Sequence, residues 1–258
     1  LKKANQFSGG AAPAFLQTHP ITSSRISDIE SRLKDFPYKQ RVDNQTFYYV
    51  KGKLKALLGF RSDTKNILEE NIKNKIYINE GEERFALSYI YLMDNEFEKA
   101  QEQIQWLYDY KKPNTMVIQL HINYLIKIKK FTEAKKLYEE NLNYFPSNRS
   151  FVYGLADLYL KTQETKKAIK LLKKNVQKFS NDPIIYELFA KGYSNQGNKL
   201  LQYENLAEAA YYNFNLQEAI STMSLAIKAN DGDFYQKSRV ESRLKQFQRE
   251  RQTHSENN

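Results

Sequence analysis

LSYIYLMDNEFEKAQEQIQWL (87–107), HINYLIKIKKFTEAKKLYEEN (121–141) and LADLYLKTQETKKAIKLLKKN (155–175) lie over one another without a gap. Each opens on an apolar run, crosses a short polar turn and resumes with a second run built around an alanine. Those alanines are Ala100, Ala134 and Ala168, spaced 34 residues apart both times. Two amphipathic runs per period, with no strand-like alternation, predict a helix–turn–helix unit repeated along the chain.

A period of 34 is that of the tetratricopeptide repeat, and the recurring residues have a physical logic. Position 8, where the two helices of a unit touch, takes Ser88, Ile122 and Ala156, the isoleucine being a departure. Position 11 fills the gap beside it with Tyr91, Leu125 or Tyr159. Position 20 takes alanine each time, and position 24 a larger group: Ile104, Tyr138 or Leu172. Pro146 ends the second helix of the middle unit. The next alanine of this kind, Ala219, lies 51 residues after Ala168, or one and a half periods. One unpaired helix is therefore expected at about 183–196, with Pro183 in its first turn, before a final pair at about 200–213 and 216–229. Gly197 and Asn215 mark the turns. Upstream, 45–58 and 63–76 read as a degenerate pair, and downstream 233–250 as a polar closing helix. The fold expected is all-α, a tetratricopeptide superhelix or α-solenoid: 37–232 the array, 233–250 the closing helix, 251–258 a disordered tail.

Composition narrows the function. Among 258 residues there is no cysteine, which removes disulfides, zinc–thiolate sites and thiol nucleophiles. No run of about 18 apolar residues is present to span a membrane. The net charge of +10 invites a polyanion partner. The lysines are dispersed, however: Lys127, Lys129, Lys130, Lys135 and Lys136 have Glu133, Glu139 and Glu140 among them. A solvated surface is expected, with no specific nucleic-acid binding; an anionic partner surface is the next reading. No GxxxxGK[ST] or GxGxxG loop occurs. His121 and Trp106 are expected to pack rather than to act chemically.

Residues 1–36 do not fit the repeat. APAFLQTHPITSSRI (12–26) resembles the end of the catalytic domain in BepA/HtpX-like HExxH zinc metallopeptidases, on Phe15, Leu16, Thr18, His19, Pro20, Ser24, Arg25 and Ile26. The repeats after it resemble the C-terminal tetratricopeptide domain of one branch of that family. The resemblance implies a short remnant of a metalloprotease domain over 1–36 with a THP loop. It implies zinc in the intact protein, with His19 as a regulatory ligand able to plug the metal's open position. It further implies a periplasmic location, and as partners the outer-membrane assembly machinery and unfolded or stalled outer-membrane clients. The chain itself departs from the family: its histidines are His19, His121 and His254, and HExxH is absent. It is thus expected to hold no cofactor and no catalytic residue, and to be the C-terminal portion of a longer zinc endopeptidase, beginning at Leu1 partway into a precursor. A free-standing tetratricopeptide adaptor or chaperone scaffold without any protease is the alternative.

A partner groove follows from the repeat register. The first (A) helices of stacked units line the concave face, with positions 2, 5, 9, 12 and 13 pointing inward. From starts at 81, 115 and 149 these include Phe85, Tyr89, Met93, Gln119, Asn123, Lys127, Tyr153, Asp157 and Lys161. The later helices add Lys191, Asn195, Glu208 and Tyr212. Tyr89, Tyr153 and Lys127 are expected as the main contacts. Phe85 and Tyr89 stand where adaptors that clamp a C-terminal carboxylate carry Lys and Asn, so internal segments of a partner are expected instead.

Overall fold

The computed structural model describes residues 44–256, together with residues 27, 31 and 32, which are helical and exposed. His19, the THP loop and the other expectations placed on 1–26, 28–30 and 33–43 lie outside the described residues. From Gln45 onward the chain forms a unit of its own. It contains twelve helices and, among the described residues, no strand.

The first pair is α1 (Gln45–Leu58) and α2 (Arg61–Asn74). The three matched repeats are α3 (Glu80–Asp94) with α4 (Phe97–Tyr110), α5 (Thr115–Lys127) with α6 (Phe131–Tyr144), and α7 (Arg149–Lys161) with α8 (Thr165–Asn175). Then come α9 (Pro183–Asn195), α10 (Lys199–Tyr212), α11 (Leu216–Lys228) and α12 (Phe234–Glu256).

Local chemistry sets these boundaries. The A helices start on an Asn or Asp whose side chain accepts backbone N–H groups of the first turn. Asn114 takes Met116 and Val117, Asn148 takes Phe151, and Asp182 takes Ile184. Such a cap contributes about 1 kcal/mol. Asn114, Asn148 and Asp182 follow one another at the repeat interval. The turns after the A helices are as regular: Asn95, Lys129, Gln163 and Gly197 all take positive φ, from 60° to 73°. Three of the four pay the left-handed penalty that glycine escapes. The second (B) helices α4, α6 and α8 have no side-chain cap.

The position-20 alanines Ala100, Ala134 and Ala168 are wholly buried, as are Ser88, Ile122 and Ala156 at position 8. With so little side chain between them, paired helices approach closely and exclude water over their whole contact. Tyr138, the bulkiest position-24 residue, needs a matching absence: a methyl carbon on Gly154 of α7 would lie 2.1 Å from its Oη. Polar ties join successive units. Tyr91 donates its hydroxyl to Glu69 at 2.7 Å, Tyr124 to Gln101 at 2.8 Å and Tyr159 to Glu139 at 2.5 Å.

Two expectations need correction. The helix at 183–195 is not unpaired. It stacks on α7 and α8 as the next A helix, carrying its cap and left-handed turn in step, and it also packs along α10. Helix α10 in turn packs along α11, so one helix serves two pairs. Buried Ala207, Ala209 and Ala210 keep α10 thin enough to do so. The second correction concerns the tail. Helix α12 does not stop at 250 but runs to Glu256, since no Gly or Pro interrupts RQTHSE and Arg251 reaches back to Gln217 at 3.3 Å. Residues 257–258 lie outside the described residues.

The apolar interior falls into two clusters. One runs from Tyr49 to Phe189 and the other from Leu200 to Phe247. Helix α12 closes the second cluster with Val240 and Phe247, and Arg239 and Arg243 make two-pronged contacts with Glu204 and Glu208 of α10 at 2.6–2.7 Å.

Candidate functional site

Positions 9 and 13 of each A helix lie one turn apart on the same face, so stacking the units lines them up across the array. In α3 they are Tyr89 and Met93, in α5 Asn123 and Lys127, in α7 Asp157 and Lys161. Tyr89, Met93, Asn123, Lys127 and Lys161 meet around one hollow of about 690 Å³. Leu57 of α1, Leu92, Ile126, the turn residue Lys129 and Phe131 of α6 complete its wall. Leu92 and Ile126 stand at position 12, an inward position of the register, whereas Leu57, Lys129 and Phe131 lie outside the A-helix count because they come from the degenerate first pair, a turn and a B helix. Lys129 alone left a trace, as the residue 34 places after Asn95 and 34 before Gln163.

A second hollow of about 360 Å³ adjoins the first through Asn123, Ile126 and Lys161, and reaches Gln119, Tyr138 and Asp157. Gln119 donates its amide to Asn123 Oδ1 and to Tyr138 Oη, both at 2.9 Å, which orients the Asn123 side chain. Lys161 Nζ stands 5.3 Å from the centre of the Phe131 ring and Lys53 Nζ 5.4 Å from that of Tyr89. Burial raises the hydroxyl pKa values of Tyr89 and Tyr138, so these phenols act as neutral hydrogen-bonding groups and the lysines carry the charge.

Two expected contact residues are not available to a partner. Phe85 is fully buried and stacks on Tyr49 at 4.8 Å. Gly52 is the cause: a methyl carbon there would lie 2.5 Å from the Glu82 carbonyl oxygen, so α1 presses directly on α3 and covers position 5. Tyr153, also at position 5, is only 8% exposed. Its ring meets Phe179 and its hydroxyl donates to Asp182 Oδ2 at 2.8 Å; burial and then that carboxylate raise its pKa. In the first and third matched units position 5 therefore packs against the neighbouring unit, whereas Gln119 at position 5 of the middle unit reaches the second hollow, and positions 9 and 13 face outward.

The remaining expected residues lie elsewhere on the array. Lys191 is exposed and ion-paired with Asp157 at 2.5 Å, and Asn195 is exposed one turn further along α9. Tyr212 is half-buried and stacks on Tyr186 at 5.2 Å, and Glu208 holds Arg243. None of the four lines the hollow.

His121 sits on the other side of α5. Its Nδ1 is 3.1 Å from the Tyr108 hydroxyl, and burial lowers its pKa, so the ring is a neutral packing element. Trp106 lies between Tyr110 and Arg84, at 4.5 and 4.4 Å. Among the described residues no three His, Cys, Asp or Glu side chains converge as a metal site needs. Nor is any described helix long and apolar enough to cross a membrane.

Comparison with known proteins fits this geometry. Residues 125–192, which span α6 to α8 and parts of α5 and α9, match the tetratricopeptide repeat family. The fold is a tetratricopeptide-repeat solenoid. Over 241 residues the chain is 22% identical to the β-barrel assembly-enhancing protease of Yersinia pestis, which accounts for 92% of this chain and 49% of that protein. The chain thus spans about half the length of the curated relative it matches. Among solved structures, the tetratricopeptide domain of P58(IPK) aligns over 80% of this chain and 56% of its own, at 13% identity with a TM-score of 0.22. Tetratricopeptide arrays act by holding other proteins.

Proposed function

We propose that these residues form the protein-binding repeat region of a periplasmic zinc metalloprotease and chaperone in outer-membrane protein quality control. The A-helix face would dock the outer-membrane assembly machinery and hold unfolded or stalled β-barrel chains. The observation that carries this reading is the hollow itself: positions 9 and 13 of α3 and α5 and position 13 of α7 converge on an open, largely apolar surface edged with amide and ammonium groups. That surface suits extended peptide better than a small substrate, because no group in it is placed for acid, base or nucleophilic chemistry. The likeness to the β-barrel assembly-enhancing protease supplies the class of partner. Zinc would be held by other parts of the intact protein, with His19 proposed as its regulatory ligand.

The test is site-specific photo-crosslinking in cells that make the intact protein. A crosslinker replaces Tyr89 or Lys127 in the hollow, or Lys136 or Lys170 on the exposed faces of α6 and α8. Adducts with β-barrel precursors or with the assembly machinery are expected from the first two positions. Adducts from Lys136 and Lys170 alone would place the binding surface on the B helices and overturn the proposal.

A further inference from the structure

The charge around the larger hollow is one-sided. Its wall contains Lys127, Lys129 and Lys161, all exposed, and no carboxylate. Among the described residues none of the three has an acidic group within ion-pair distance. Elsewhere several lysines are neutralised by a carboxylate. Lys55 holds Glu83 at 2.7 Å, Lys99 holds Glu96 at 2.6 Å, and Lys130, next to Lys129, holds Glu133 at 3.0 Å. Asp157, one turn before Lys161 on α7 and beside it in the smaller adjoining hollow, is paired with Lys191. Three clustered ammonium groups without a counter-charge repel one another, and an incoming carboxylate would relieve that repulsion.

The floor between them is apolar. Leu57 is 53% exposed, and Met93, Ile126 and Phe131 are only half-buried beside it. At about 690 Å³ the hollow is large enough for an aromatic or long aliphatic side chain with the backbone on either side of it. Asn123 supplies a backbone contact: its Oδ1 is occupied by Gln119, and its Nδ2 has no partner among the described residues and can donate to a peptide carbonyl. We infer that this hollow takes an internal peptide segment in which a large apolar side chain is flanked by acidic side chains. The apolar group fills the floor, the carboxylates meet Lys127, Lys129 and Lys161, and Asn123 holds the main chain. The inference rests on the protein-binding reading above and narrows it to one class of sequence.

It can be tested on the 258-residue chain by fluorescence anisotropy with synthetic 12-residue peptides, acetylated and amidated so that no terminal charge contributes. One peptide carries a central Phe flanked by Asp, the second has Asn for each Asp, and the third has Ser for Phe. At low salt the Asp peptide should bind about 10-fold or more tightly than the Asn peptide, and the gap should shrink as salt screens it. Lys127→Ser with Lys161→Ser should reduce the Asp peptide to the affinity of the Asn peptide. The Ser-for-Phe peptide should bind weakly, and Met93→Arg should abolish binding of all three. Equal affinity for the Asp and Asn peptides would overturn the acidic preference while leaving protein binding in the hollow intact. Displacement of the Asp peptide by an equimolar single-stranded oligonucleotide would overturn it too, marking the lysines as a general polyanion site. If Met93→Arg leaves the crosslinks to natural partners unchanged, the protein-binding reading of the hollow fails as well.

Discussion

The front of the array counts in steps of 34 residues, and the back changes to 17. From α3 to α8 one A helix and one B helix alternate, with capped A helices, uncapped B helices and a left-handed turn after each A helix. At α9 the cap Asp182 and the turn Gly197 are still in step. Half a period later Asn198 and Asn215 cap α10 and α11 in succession, and Phe214 takes the left-handed turn 17 residues after Gly197. The apolar interior divides between α9 and α10. The difference teaches that a solenoid can change phase without a loop insertion when one helix is small enough on two faces to act as B helix behind and A helix ahead. Helix α10, with Ala207, Ala209 and Ala210 buried, meets that condition.

The largest expected effect tests how tightly the front is packed. Gly154→Ala puts a methyl carbon 2.1 Å from the Tyr138 hydroxyl, which is buried and bonded to Gln119. Overpacking of this kind costs about 2–3 kcal/mol, well above the small gain in helix propensity. Tyr138→Leu, which copies Leu172 of the next repeat, should recover most of the loss. A double-mutant cycle from urea melts gives the coupling, and two additive losses would disprove the fit.

The junction comes next. Asp182 caps α9, accepts the Tyr153 hydroxyl at 2.8 Å and pairs with Arg149, whereas Asn148 only caps α7. Asp182→Ala should therefore cost about 2 kcal/mol and Asn148→Ala about 1 kcal/mol. Equal losses would mean that the junction is held by helix packing and not by this carboxylate.

The two turns offer opposite signs. Gly197→Ala places a side chain at φ 73° and should cost about 1 kcal/mol, although open space surrounds the new methyl. Phe214 holds φ 61° while 97% exposed, so Phe214→Gly should gain roughly 0.5–1 kcal/mol. Thermal melts of both variants decide it. Two losses would show that Phe214 contributes a contact of its own.

The smallest effect is the acid sensitivity of the front. Hydrogen bonds from Lys135 and then Lys167 hold the Glu164 carboxyl down to about 2, below its ordinary 4.5. Its stabilisation is present above pH 4.5 and is lost as pH falls toward 2. Glu96 is lowered in the same way by Lys65 and Lys99, but the caps of α10 and α11 are asparagines that do not titrate. Glu164→Gln should flatten the fall in melting temperature on acidification, by a modest amount because the pair is partly solvated. An unchanged acid slope would place the sensitivity elsewhere.

The sequence by itself determined the helices, their order and the core. Ala100, Ala134 and Ala168 are legible because the small gap between paired helices admits little else, and the gap recurs with the period. Asn114, Asn148 and Asp182 were equally open to reading, since a cap depends only on the residues just after it. What only the tertiary structure decided was exposure. Phe85 and Tyr153 occupy the same repeat position and both looked like groove residues, yet each is covered by a neighbour that the register does not encode. For Phe85 it is α1, brought close by Gly52; for Tyr153 it is Phe179 and Asp182 from the approach to α9. The hollow, likewise, needs Leu57, Lys129 and Phe131 from three different elements. Periodicity reports which way a side chain leaves its own helix. Whether solvent or another helix waits there depends on contacts distant in sequence, and those are fixed only when the units stack.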